Sequence, residues 1–161
     1  MGAVAVLVST AFGLSTLERF VARRKPHELA WTVSLAMFAL ASFAYFWAAA
    51  LGWGSLDFRA FYLFGAILNV PWLALGTVYL LGGEHRGNIT RWWLVGLSAF
   101  CAGVVRTAPW RGTLDVTGIP SGKEVFGVGP RIMAAVGSGV GAVVLIAGAL
   151  WSAISLLRVR R

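Results

Sequence analysis

Phe58 to Gly83 reads FRAFYLFGAILNVPWLALGTVYLLGG: one charge in the first turn, then an apolar run that ends on a glycine pair. A helix needs roughly 20 mostly apolar residues to cross about 30 Å of hydrocarbon, and 58–81 meets that length. Working outward from it, the same reading places spans at 2–22, 28–51, 92–108 and 132–157. The fourth is short. Only Trp92 to Val105 is free of charge, so Arg106 must snorkel toward the headgroups. Trp92, Trp93 and Trp110 fit an aromatic belt at its ends. The fold class expected is therefore an all-α integral membrane protein, a polytopic bundle of about five transmembrane helices forming a single domain over 1–161. Glu84–Arg91 reads as a short polar linker and 109–131 as a long loop punctuated by Gly and Pro.

Composition agrees. A hydrophobic fraction of 58% and a charged fraction of 12%, with a mean hydropathy of +0.78, exclude an ordinary soluble domain. The net charge of +8 does not point to nucleic acid, because the cations flank apolar segments. Arg23, Arg24, Lys25, Arg158, Arg160 and Arg161 are expected to meet anionic headgroups of the lipid bilayer. The first stretch lacks a basic leader and a small-residue cleavage pattern, so it reads as a retained helix. Lys and Arg in alternate loops give the orientation. Arg19, Arg23, Arg24, Lys25, Arg86, Arg91, Arg158, Arg160 and Arg161 outnumber Arg59, Arg106, Arg111, Lys123 and Arg131. The N-terminus and the long loop are then extracytoplasmic, and the C-terminus cytoplasmic. The plasma (inner) membrane is the expected location.

Pro71 removes one backbone donor and obstructs the carbonyl four residues earlier, at Ile67, which predicts a bend between Ile67 and Pro71. Asn69, inside that turn, is the one amide expected near the middle of a span. It serves either an interhelical hydrogen bond or, together with Thr77 and Tyr79, a polar binding site. Gly137 and Gly141 have small-xxx-small spacing, Ser138 adjoins them, and Gly65 offers a second place of close approach. Gly148 is expected to lie off that face. At the rims, an Asp57–Arg106 pair beside Arg59 would close one end of the bundle, and Glu18 with Arg19 or Arg23 the other.

No catalytic set is legible: Gly-x-Ser-x-Gly, Cys-x-x-Cys and His-Glu-x-x-His are all missing from the sequence. Gly118–Glu124 only superficially resembles a phosphate loop, with three residues between its glycines where four are required. His27 and His85 sit at span ends, which suits neither haem nor zinc. Cys101, the sole cysteine, reads as a small packing residue. No metal or cofactor is expected, and the chain reads as a non-enzyme. Two functions fit. The first is an accessory subunit or scaffold acting through helix contacts with a protein partner or a second copy. The second is a small permease or channel with its polar site near Asn69.

Overall fold

The computed structural model describes residues 2–110 and 122–159. Every regular element among them is a helix: α1 (Gly2–Arg23), α2 (Pro26–Leu51), α3 (Ser55–Phe61), a π-helix (Tyr62–Leu68), α4 (Asn69–Thr107), α5 (Gly122–Val125) and α6 (Val128–Val159). Four helical segments are long and apolar enough to cross a membrane: Gly2–Arg23, Pro26–Leu51, the continuous Ser55–Thr107, and Val128–Arg158. The segments 58–81 and 92–108, read as separate spans, lie on the two sides of a break at Gly83 inside that long segment. Glu84–Arg91, expected as a linker, is helical too.

Gly83 explains the difference. Its φ of 78° and ψ of 174° are not helical and divide the segment into two helices, a conformation open to glycine because it has no Cβ. A straight helix of this length would extend about 80 Å. Instead the chain doubles back at Gly83. Tyr79 Oη donates to Asn88 Oδ1 at 2.9 Å, Trp72 Nε1 to Ser98 Oγ at 3.2 Å, and Arg59 Nη2 to the Ala108 carbonyl at 2.8 Å. These pairs diverge steadily from Gly83, the pattern of an antiparallel hairpin. Residues 84–107 therefore form a second limb lying along 59–82.

The other connections follow from local chemistry. Lys25 is extended (ψ 123°) and Pro26 opens α2, where its missing N–H costs no intrahelical bond. Gly52, with φ 89°, ends α2 and sends the chain into α3. There the Gly54 N–H donates to Asp57 Oδ2 at 3.3 Å, the backward reach of an acidic residue at the third helical position.

Residues 62–82 are the axis of the bundle. α2 runs antiparallel to them, with Ala41 against Gly65, Ser34 on Asn69 and the Trp31 indole over Gly76. α6 runs parallel to them, with Ser138 at Ala66, Gly141 at Val70 and Gly148 at Thr77. α1 is antiparallel to α2 at the edge, from Gly2 beside Tyr45 and Phe46 to Arg19 beside Glu28. One end of the bundle gathers Arg19, Glu28, Gly83, Arg86 and Arg158. The opposite end gathers α3, Val105–Trp110 and α5. At that second end Phe58 is fully buried, its ring 5.3 Å from Phe126 and 5.5 Å from Trp53, centroid to centroid. The outer surface is apolar nearly throughout, with Leu7, Trp93, Leu150 and Trp151 exposed. Hydrocarbon tolerates that surface and water does not.

Candidate functional site

Pro71 organises the centre of the bundle. In an α-helix it would orphan the carbonyl of Ile67, four residues back. Here the preceding stretch Tyr62–Leu68 is a π-helix, and the Asn69 N–H reaches the Phe64 carbonyl five residues back. α4 resumes the ordinary register at Asn69, so Pro71 leaves the Ile67 carbonyl without its helical donor, and Ala66 lies one residue before it. The Ser138 hydroxyl of α6 donates to that Ala66 carbonyl at 2.6 Å. A register change thus stands just before Pro71, where a bend was expected, and the neighbouring helix α6 bonds the Ala66 carbonyl beside it.

Close approach makes this possible. A Cβ on Gly137 would stand 2.9 Å from the Ile67 carbonyl oxygen. A Cβ on Gly141 would stand 2.9 Å from Val70 Cγ1 and 3.1 Å from the Pro71 nitrogen. Both positions put α6 backbone against the backbone of the axial helix, where dispersion and Cα–H···O contacts replace what lipid would offer. Gly148, expected off this face, lies on it, above Thr77 and Leu81. Seven residues after Gly141 is nearly two turns, so the same stripe continues. Gly139 has open space around it.

Asn69 faces the opposite neighbour. Ser34, 1% exposed, places its hydroxyl 3.0 Å from the Asn69 carbonyl and 2.6 Å from Asn69 Oδ1, sharing one proton between them. Thr77 instead touches Gly148 of α6, and the Tyr79 hydroxyl bonds Asn88 on the second limb. The three residues grouped by the sequence reading into one candidate binding site thus address three different helices. Two further polar contacts lie in the interior: Thr32 Oγ1 donates to Thr16 Oγ1 at 2.9 Å, and Ser98 Oγ to the Leu94 carbonyl at 2.7 Å.

The rims differ from expectation at both ends. Asp57 turns back on its own helix start, and among the described residues neither it nor Arg106 makes an ion pair. Arg59 takes the closing role. Its guanidinium donates to the carbonyls of Val105, Arg106 and Ala108 and lies 5.9 Å from the Trp110 ring centre and 5.7 Å from that of Phe126. The last carbonyls of a helix lack intrahelical donors and carry its negative dipole end, so a cation with a planar fork is well matched to them. At the other end Glu18 is exposed and makes no ion pair among the described residues, while Glu28, 6% exposed, takes its place. Arg19 Nε lies 3.4 Å from Glu28 Oε2, and His27 Nε2 lies 3.8 Å from Oε1.

No group of His, Cys, Asp or Glu able to hold a metal is found among the described residues. The loop that resembles a phosphate loop, Gly118–Glu124, lies largely outside them, as do Arg111, Arg160 and Arg161. Ser34, Arg59 as a helix cap and Glu28 escaped the sequence reading. A serine in an apolar run is a weak cue, and partner choice for the two charges depends on which helix ends meet. The chain matches no protein-family model, no curated protein and no solved structure.

Proposed function

We propose that the chain is a multi-pass protein of the plasma membrane that works by contact, as an accessory subunit or scaffold beside a protein partner or a second copy. The observation that carries this reading is the use of its interior polar groups. Asn69, Ser34, Ser138, Tyr79, Asn88, Trp72 and Ser98 are engaged between helices, and Asn69, Thr77 and Tyr79 do not converge on a common space. A permease would need such groups to line one path. In native membranes, dissolved in mild detergent at native expression, the tagged chain is expected to migrate as one discrete complex heavier than a single copy. Migration as a lone chain would sink the reading. Flux of a small solute through vesicles holding the purified chain would favour the permease in its place.

The proposed path has five crossings, because 62–82 and α6 run parallel. Two parallel helices joined in one chain need a return crossing between them, and the second limb of α4, antiparallel to both, supplies it. With the cation-rich end in the cytoplasm, the N-terminus is outside and the C-terminus inside. Cysteines introduced at Ser121 and Arg160, in a chain whose Cys101 is replaced by Ala, are expected to react from opposite sides with an impermeant thiol reagent. Reaction from the same side would remove the fifth crossing.

A further inference from the structure

The two limbs of α4 and α6 leave a groove of about 310 Å³ between them, walled by Leu75 and Val78, by Trp93 and Leu97, and by Val140 and Val144. Its wall along the first limb runs from Pro71 to Val78, about two turns. A helix about 10–12 Å across needs roughly 500 Å³ per turn. The groove is thus smaller than the two helical turns that line it, and its volume is of the order that one hydrocarbon chain fills. Apart from Thr90 its lining is apolar, and the Thr90 hydroxyl is already donated to the Arg86 carbonyl at 2.9 Å.

The mouth of the groove is cationic. Arg86 stands one turn before Thr90 on the same helix face. Its stem crosses Gly82, with Cβ and Cδ each 3.5 Å from where a Gly82 Cβ would stand. The guanidinium is exposed at the hairpin end, the end that also holds Arg19 and Arg158. Arg91, the next cation along this limb, is folded 5.3 Å over the Trp92 ring. Glu84 is two positions before Arg86, about 200° away around the helix. An apolar slot for one chain beneath a free guanidinium has the chemistry of an anionic lipid.

We propose that this groove holds one acyl chain of an anionic phospholipid, with Arg86 on its phosphate. The site rests on the reading that both limbs of α4 cross the membrane, since only then does the groove lie beside lipid tails with Arg86 at headgroup level. The chain is reconstituted in nanodiscs of equal phosphatidylglycerol and phosphatidylcholine, extracted, and weighed intact by native mass spectrometry. The expected result is one retained phosphatidylglycerol per chain, favoured over phosphatidylcholine by about fivefold, the factor that one interfacial cation supplies toward an anionic surface. Arg86→Gln should remove the preference. Val140→Trp should lower retention of both lipids by filling the groove, while Val143→Trp, on an exposed position outside the lining, should leave retention as it is. Equal retention of the two lipids by the unaltered chain would overturn the proposal. So would undiminished retention in Val140→Trp with its helicity and melting temperature intact. Same-side thiol labelling of Glu84→Cys and Ser121→Cys, which flank the second limb, would defeat the five-crossing reading by a separate readout, without reference to lipid.

Discussion

Gly141→Leu is expected to be strongly damaging, costing about 3 kcal/mol or more. The atoms it would meet are Val70 Cγ1, the Val70 carbonyl carbon at 3.0 Å and the Pro71 nitrogen at 3.1 Å. Two of these are backbone and the third is on a β-branched side chain, so none can swing away. The crossing would have to open, and every contact along α6 would weaken together. Gly137→Leu should behave similarly, because the Ile67 carbonyl oxygen blocks it and the Ser138 bond to Ala66 would stretch with it. Gly148→Leu should be comparably damaging, since its Cβ would press into Cγ2 of the β-branched Thr77 and stand 3.1 Å from Leu81 Cδ1. Gly139→Leu is the control, with open space beside it. Thermal melts of the four variants in one detergent check the ranking. Equal melting for Gly139→Leu and Gly141→Leu would show that α6 does not pack as described.

Arg59→Met is expected to cost about 2–3 kcal/mol, the range for losing hydrogen bonds from a charged donor. The methionine keeps much of the apolar stem and removes all the donors to Val105, Arg106 and Ala108. Those carbonyls end the second limb, so the damage should be local before it is global. Amide hydrogen exchange should quicken over 104–108 while 28–48 in α2 stays protected. Arg59→Lys should recover part of the loss, because an ammonium cannot span the carbonyls as a planar fork does. Arg106→Met should stay within about 0.5 kcal/mol, since that side chain is exposed and makes no ion pair among the described residues. If Arg106→Met proved the more harmful of the two, the rim would be closed by the charge the sequence first suggested.

Much of this architecture can be read from residue order alone. Long apolar runs dictate helices because backbone groups in hydrocarbon must be satisfied within the segment. That is why α1, α2 and α6 fall within a few residues of the stretches marked by composition. Pro71 likewise announces an irregular turn wherever it falls in a helix. Gly137 and Gly141 mark a close approach because spacing by four residues puts two missing side chains on one face.

Partners were not legible, for a consistent reason. Asn69 had to bond something, but whether Ser34, a ligand or Thr77's surroundings received it depended on how far the axial helix is rotated about its own axis. The π-helix adds a residue to one turn and changes that rotation, and hydropathy carries no trace of it. The rims show the same dependence: Asp57, Arg59 and Arg106 are a few residues from either end of the hairpin, and small shifts in limb length decide which side chain meets which carbonyl. Gly148 was misplaced because heptad spacing from Gly141 carries the contact face further along α6 than the small-xxx-small pair alone indicates.

The sequence by itself determined that the chain is helical and apolar enough to cross a membrane, and where its glycines and prolines punctuate the helices. These are properties of single segments, set by local hydropathy and backbone freedom. Only the tertiary structure decided that Glu84–Arg91 continues as helix and that the chain reverses on Gly83. It alone decided that Ser138 bonds the Ala66 carbonyl beside the Pro71 turn, and that Arg59 rather than Arg106 closes the rim. Each of those outcomes depends on the relative rotation and offset of two helices, which is fixed when their surfaces pack and is carried by neither helix alone.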